Sequence, residues 1–238
     1  STVYINGSFG LYLRDIMLKK IFLSPFFMPV AFLAVWLSFM GVLYFGYPAD
    51  VLRFTEEGKF IEIITHLGYI TLIAVLLVVA ADYQDKIKSW GIYLFLALCA
   101  LLREMGIQHH LSKTDTTPFK SRFFLNPNNP LSEKIVFGAM LLIVAGAVVY
   151  LAVKYSKHLV HSFFKLNTVT WSIAVLCMVG VCAKIIDRFP SNWRKAHNGV
   201  PLSDEVYTIC QLLEESSEMF LPYIAALILW QYHLLKKN

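Results

Sequence analysis

The chain has 238 residues, of which 57% are hydrophobic and 15% aromatic, and its mean hydropathy is +0.58. This composition excludes a water-soluble domain and is typical of a protein that crosses a membrane several times. The formal net charge is +5, and we expect the lipid bilayer, not a nucleic acid, to be the chain's main partner.

Six apolar segments recur along the chain, and each is a candidate for crossing the roughly 30 Å of hydrocarbon that takes about 20 helical residues. They lie near residues 21–47, 61–81, 90–105, 135–153, 168–187 and 215–235. Isolated strands cannot satisfy their backbone groups in lipid, so these segments must be helices. The sequence therefore predicts an all-α, polytopic transmembrane helix bundle of about six spans, forming one domain over residues 1–238. The third segment is short, and we expect its helix to continue past Glu104 before Gly106 loosens it.

The residues before the first span differ in character. Residues 1–10 are largely polar, and no small-residue cleavage site follows a short apolar core, so we expect the first span to be retained. Residues 11–20 place apolar and charged side chains on opposing arcs at helical spacing. This pattern predicts an N-terminal helix that lies in the membrane interface.

Charge is distributed unequally between the two sides of the predicted bundle. Six crossings put both termini on one side, called side A here, which holds residues 1–20, 82–88, 154–167 and 236–238. Side A has ten basic and three acidic residues, whereas the opposite side B has eleven basic and thirteen acidic residues. The basic residues of side A lie in shorter segments, so the positive-inside rule favours a cytoplasmic side A in a bacterial inner (plasma) membrane.

The last predicted helix carries the most informative polar residues. It begins at Ser203-Asp204-Glu205 and, if it continues to about Lys236, has a length of about 50 Å, which exceeds the hydrocarbon thickness. Glu214, Glu215 and Glu218 occupy an arc of about 100° on this helix. Such a cluster is repulsive unless a proton, a metal ion or a basic side chain compensates it.

Three other helices bring ionisable groups to the same side B. They are Glu62 and His66 at the start of the second span, Arg103 and Glu104 at the end of the third, and Lys184, Asp187 and Arg188 at the end of the fifth. His109 and His110 follow the third span, and Lys120 and Arg122 lie in the next long loop. Ionisable groups that converge within a membrane bundle indicate a functional site.

Imidazoles and carboxylates without a neighbouring thiol favour a divalent metal such as zinc, iron or manganese. We expect its ligands to come from His66, Glu62, Glu214, Glu215, His109 and His110. Candidate catalytic residues are Glu218, Glu104 and Asp187, and candidate substrate-binding residues are Arg103, Arg122, Lys120 and Arg188. The leading hypothesis is a metal-dependent hydrolase or transferase that acts on a lipid or lipid-linked substrate, because a bound metal activates water.

Other interpretations remain open. The charged residues near helix ends are also typical of interfacial anchors, with pairs such as Lys184 and Asp187, or Arg103 and a glutamate of the last span. The carboxylates equally suit an ion-coupled transporter. The long loop 106–133 with its phenylalanines favours a noncatalytic subunit that docks a membrane protein partner.

Local sequence patterns predict features at the start of the fourth span and near the end of the last helix. Asn129 followed by Pro130 predicts an N-cap and a first helical position for the fourth span. Trp230 and His233 near the end of the last helix predict interfacial anchors.

Overall fold

The computed structural model describes residues 17–55, 60–83, 87–107 and 121–237, and every structural statement below concerns these residues. They contain helices and no strand, which confirms the all-α prediction. Besides a helical stretch at 17–22, they form eight helices: α1 Phe27–Gly46, α2 Val51–Thr55, α3 Phe60–Ala81, α4 Ile87–Glu104, α5 Ser121–Leu125, α6 Leu131–Phe164, α7 Thr168–Ala196 and α8 Asp204–Lys236. The predicted interfacial helix lies mostly outside the described residues.

Four helical segments in the described part are long and apolar enough to cross a membrane. They are Phe27–Gly46, Leu131–Phe164, Thr168–Ala196 and a segment between Val51 and Ala81 whose described helices are α2 and α3. Their length and composition are those of an integral membrane protein. The other two predicted spans, α4 and α8, contain more polar and charged residues, such as Arg103 and Glu104 in α4 and Gln231 and His233 in α8.

Helix α8 is the centre of the bundle and packs mainly against α3 and α7. It contributes buried residues to three apolar clusters. Ile224 and Ile228 pack against α1 and α7, and Ala226 packs in a cluster with α3 and α4. Leu212 and Met219 belong to a cluster with α1, α2 and α3. A residue of α8 is therefore held from several sides. The position of α8 fixes where its carboxylates meet the other helices.

The boundaries of α8 and the end of the third span agree with the sequence prediction. Helix α8 begins at Asp204 and ends at Lys236. Helix α4 is regular to Glu104, and the backbone N–H of Met105 still donates to the carbonyl oxygen of Leu101. The helix then ends at Gly106, whose φ of 64° is a left-handed conformation that glycine adopts without strain. Arg103 and Glu104 therefore occupy the last turn of α4.

The start of α6 also differs from the prediction. The helix begins at Leu131 with Pro130 at the N-cap position, where no side chain caps it. Asn129 is buried, and its side-chain amide instead donates a hydrogen bond of 2.7 Å to the carbonyl oxygen of Phe123 in α5. The amide thus links the short helix α5 to the start of α6.

Helices α6 and α7 are longer than the apolar segments that predicted them. Only residues 165–167 separate them, and the side chain of Asn167 caps α7 by accepting a hydrogen bond from the backbone N–H of Thr170 at 3.2 Å. Helix α7 includes Pro190 and ends at Ala196. Its last turns extend the bundle on the side where α8 begins.

Candidate functional site

The carboxylates of α8 face a neighbouring cation of α7. The side chain of Glu218 is only 19% exposed, and its Oε1 lies 2.6 Å from the Nζ of Lys184. Lys184 also lies 3.7 Å from Asp187, the partner that the anchoring interpretation expected. Arg188 lies 4.0 Å from the same carboxylate of Asp187. A charge-assisted hydrogen bond as short as that between Lys184 and Glu218 is strong.

Glu104 brings α4 to the same place. Its carboxylate lies close enough to Glu218, Lys184 and His66 for their charges to act on it. The guanidinium of Arg103 lies 3.8 Å from the carboxylate of Glu104, its neighbour in sequence. The last turn of α4 therefore faces α3, α7 and α8 at once.

Glu215 completes the convergence from the α8 side. The charges of Glu214, Glu218, Glu104 and Glu62 all act on its carboxylate. Four helices, α3, α4, α7 and α8, thus deliver ionisable side chains to one level of the bundle, which is the arrangement that the sequence pattern indicated. The set is called the side-B cluster below and consists of Glu62, His66, Arg103, Glu104, Lys184, Asp187, Arg188, Glu214, Glu215 and Glu218.

On α3, His66 and Glu62 form the histidine part of the side-B cluster. The Nε2 of His66 lies 3.6 Å from Oε1 of Glu62, and the two side chains are 27% and 28% exposed. This Nε2 is buried and accepts or donates no hydrogen bond within the described residues. An imidazole nitrogen in such a place is available to a ligand or to a proton.

The fit of a metal to these residues is partial. The cluster has the oxygen and imidazole donors that zinc, iron and manganese prefer. As they are placed, however, the described residues contain no group of three or more His, Cys, Asp and Glu side chains that could hold a metal ion. His109, His110 and Lys120 lie outside the described residues, and so does the side chain of Arg122, whose backbone lies in α5.

The cluster has a surplus of negative charge. Its six carboxylates, from Glu62, Glu104, Asp187, Glu214, Glu215 and Glu218, outnumber its three permanent cations, from Arg103, Lys184 and Arg188. Carboxylates that share a partly buried site repel one another and favour the uptake of a proton or a cation. The arrangement can therefore bind a cation, exchange protons with a substrate, or do both.

A second charged group, at the other end of α8, was missed by the sequence analysis. Oδ2 of Asp82 lies 2.9 Å from Nζ of Lys237 and 3.5 Å from Nε2 of His233. The hydrogen bond from Lys237 holds the pKa of Asp82 below its usual range. His233 is buried, so its interpretation as an interfacial anchor was wrong. The group fastens the end of α8 to the turn that follows α3.

Comparison of the chain with known protein families, with curated proteins and with solved structures found no match in any of the three.

Proposed function

We propose that this chain is a single membrane domain of six crossings, in which α4 and α8 span the bilayer beside the four long apolar helices. The support is the packing of α8, which shares apolar clusters with α1, α3, α4 and α7 and therefore cannot stand apart from the spanning helices. The charge distribution supports a cytoplasmic side A with both termini, an interfacial N-terminal helix and a bacterial inner membrane.

We further propose that the side-B cluster is the active site of a metal-dependent hydrolase or transferase acting on a lipid or lipid-linked substrate. The observation that carries this proposal is the surplus of carboxylates gathered from separate helices. Burying that many like charges costs free energy, and simple anchoring at the interface does not require it. Binding of a substrate or ion that compensates this negative charge explains why the carboxylates are gathered at one place.

The residues have distinct roles in this proposal. Glu218 is the acid–base group, because the ammonium of Lys184, 2.6 Å away, holds its carboxylate in a fixed position within the cluster. Glu104 and Asp187 are the neighbouring carboxylates that receive or return this proton. Glu62, His66, Glu214 and Glu215, with His109 and His110 as further ligands, would hold the divalent metal once their side chains close around it, because as they are placed the described residues form no group of three such ligands. When bound, the metal supplies an activated water and polarises the bond to be broken.

Substrate access follows from the position of the cluster at one end of the helices. A lipid can diffuse laterally to this level without leaving the membrane, so no aqueous channel is needed. Arg103 and Arg188 are exposed at the edge of the cluster and suit a phosphate or carboxylate of the substrate. Arg122 and Lys120 are proposed to assist from the preceding loop.

The experiment that tests this proposal is a turnover assay on the purified full-length chain. The protein is incubated with a total lipid extract of bacterial membranes, with and without a metal chelator, and the lipids are compared by mass spectrometry. We expect a product that forms only without chelator and disappears in Glu218→Gln. Glu205→Gln is the matched control, because Glu205 lies on the same helix outside the cluster and its hydrogen-bond partner is Tyr44. A folded Glu218→Gln variant that still forms the product contradicts the assigned role.

A second candidate function is an ion-coupled transporter, and the Lys184–Glu218 pair is the observation that favours it. A lysine and a glutamate 2.6 Å apart on two packed helices can separate when a proton or cation binds the carboxylate. In proteoliposomes this function predicts proton or metal-ion flux that is lost in Glu218→Gln. Flux equal to that of empty vesicles excludes it in favour of the enzyme.

A further inference from the structure

Helix α6 continues beyond the apolar part that crosses the membrane. It has 34 residues and is about 51 Å long at 1.5 Å per residue, whereas the hydrocarbon is roughly 30 Å thick. The apolar segment that predicted it ends near Val153, so about 16 Å of helix follow before its end at Phe164. Residues 154–164, together with the C-cap residue Lys165, are called the α6 extension below.

Aromatic side chains place the start of the α6 extension at the membrane interface. The Nζ of Lys154 donates a hydrogen bond of 3.2 Å to Oγ of Ser89, the residue before Trp90 in α4. The same ammonium lies 5.4 Å from the ring centroid of Tyr150 and 5.3 Å from that of Tyr155. Tryptophan and tyrosine are enriched at the level of the lipid headgroups. The α6 extension therefore starts at the edge of the hydrocarbon and passes through the headgroup layer.

The far end of the α6 extension is fastened to the start of α7. The rings of Phe163 and Trp171 are stacked with centroids 4.7 Å apart, and the indole N–H of Trp171 donates a hydrogen bond of 3.1 Å to the carbonyl oxygen of Phe163. The extension is thus held at both ends, by α4 and by α7. Its side chains occupy positions that the helix sets, unlike those of an irregular basic loop.

Lysine and histidine side chains share one face of the α6 extension. At about 100° per residue, five of them fall within an arc of about 100° and all five are exposed: Lys154, Lys157, His158, His161 and Lys165. The less exposed side chains of Tyr155, Leu159 and Ser162 lie on a different side of the helix. The basic arc therefore faces away from the rest of the bundle.

Within the described part of the chain, no carboxylate forms an ion pair with the basic arc. The sequence has no acidic residue between Glu133 and Asp187. Among the described residues of side A, the acidic one is Asp82, which already contacts Lys237 and His233. The positive charge of the arc is therefore left for a partner outside the chain.

Exposed apolar side chains border the basic arc and indicate what kind of partner it fits. Val160 and Phe164 are 62% and 81% exposed, and both lie within about 60° of Lys157 around the helix. A membrane interface accommodates cations and apolar groups side by side, because its headgroups carry charge and the adjoining hydrocarbon accepts apolar side chains. The combination favours an anionic lipid surface over an acidic partner in water.

We infer that the basic arc of the α6 extension is a binding surface for anionic phospholipids of the adjoining leaflet. With side A cytoplasmic, as proposed, this is the leaflet that carries a negative surface potential. The arc and the side-B cluster lie at opposite ends of the bundle. Lipid binding to the arc therefore does not depend on the cluster, on a metal or on turnover.

Photo-crosslinking of lipids to the full-length protein tests the inference. The protein is reconstituted in phosphatidylcholine nanodiscs that contain the same small mole fraction of phosphatidylglycerol or phosphatidylcholine, each with a diazirine near its headgroup. The labelled peptides are identified and quantified by mass spectrometry. We expect the phosphatidylglycerol to label residues 154–165 preferentially, and this labelling to fall about fivefold in Lys157→Gln and about fivefold in Lys165→Gln.

Two control variants separate charge from packing and from location. Lys157→Arg keeps the charge and should retain the labelling. Lys195→Gln removes an exposed lysine from the opposite end of the bundle and should leave the labelling of residues 154–165 unchanged.

Three results would overturn the inference. Equal labelling by the two lipids overturns the selection of anionic headgroups. Undiminished labelling by phosphatidylglycerol in the double variant Lys157→Gln and Lys165→Gln overturns the role of the basic arc. Absence of labelling at residues 154–165 by both lipids shows that the arc stands clear of the headgroups, as it would for an acidic soluble partner, and overturns the lipid surface.

Discussion

Gly68 of α3 lies where this helix comes closest to α8, and replacing it with alanine tests the packing of the bundle. A Cβ atom at position 68 would lie 2.7 Å from Cγ of Pro222 and 2.7 Å from Cε2 of Tyr223. Carbon atoms pack best at about 3.5–4.0 Å, so the added methyl group overlaps both neighbours by about 1 Å. Only a hydrogen at position 68 allows the present separation of the two helices.

Neither neighbour can move easily. Pro222 is part of the backbone of α8, and the hydroxyl of Tyr223 donates a hydrogen bond of 2.8 Å to the carbonyl oxygen of Ile64. We take about 3 kcal/mol for the overpacking, the upper end of the usual range. The higher helix propensity of alanine relative to glycine offsets about 1 kcal/mol of this cost. Gly68→Ala should therefore lower the free energy of unfolding by about 2 kcal/mol.

The assay is reversible unfolding of the purified protein in mixed micelles by sodium dodecyl sulfate, followed by far-ultraviolet circular dichroism. Gly146→Ala in α6 is the control, because no atom lies within 4 Å of the added Cβ there. It should be neutral or stabilising by up to about 1 kcal/mol. If Gly68→Ala is as stable as Gly146→Ala, the close approach of α3 and α8 is refuted, together with the meeting of His66 and the carboxylates of α8.

Three further predictions concern other contacts of the bundle. In a double-mutant cycle, Lys184→Met and Glu218→Gln should show a coupling energy of about 1 kcal/mol, which is small because the lysine is half exposed to solvent. Additive effects of the two substitutions on the free energy of unfolding would contradict the ion pair between them. Lys237 lowers the pKa of Asp82. The ionised carboxylate of Asp82 therefore stabilises the folded protein fully above the ordinary carboxylate pKa of about 4, and this stabilisation is lost as the pH falls through the lowered pKa. Asp82→Asn should therefore be less stable than the parent protein at neutral pH, with a difference in melting temperature that vanishes in acid; a constant difference at every pH would oppose this. Met219 is 2% exposed, so Met219→Ala should lower the free energy of unfolding by about 2–5 kcal/mol in the same detergent titration. A change below about 1 kcal/mol would show that Met219 is not packed as described.

The sequence was sufficient to predict features that depend on local patterns. The start of α8 at Asp204 and its end at Lys236 follow from a polar start signal and a basic end around one apolar stretch. The presence of charged residues on four helix ends was likewise readable, because the end of a span is set by its hydropathy. The class of the fold and the level of the candidate site could therefore be predicted.

Features that depend on how the helices are rotated against one another could not be predicted. The pairing of Lys184 with Glu218 requires the faces of α7 and α8 to be known, and Asp187 was the obvious partner because it lies on the same helix. The burial of His233 depends in the same way on the turn that contains Asp82.

Backbone conformation limited the prediction at the end of α7. The fifth span was predicted to end near residue 187, yet α7 continues through Pro190 to Ala196. A proline removes only one backbone hydrogen bond, and a long helix can continue beyond it. Gly106, by contrast, could be read from the sequence as the end of α4, where its φ is positive.

The most direct measurement for the account is the elemental analysis of the purified protein by mass spectrometry, after extraction without chelators. The proposed metal site predicts a near-stoichiometric content of zinc, iron or manganese that is lost in His66→Ala and in Glu215→Gln and retained in the control Glu205→Gln. An intact, monodisperse protein that contains no divalent metal would contradict the proposed metal-dependent site and leave the side-B cluster to proton-coupled transport.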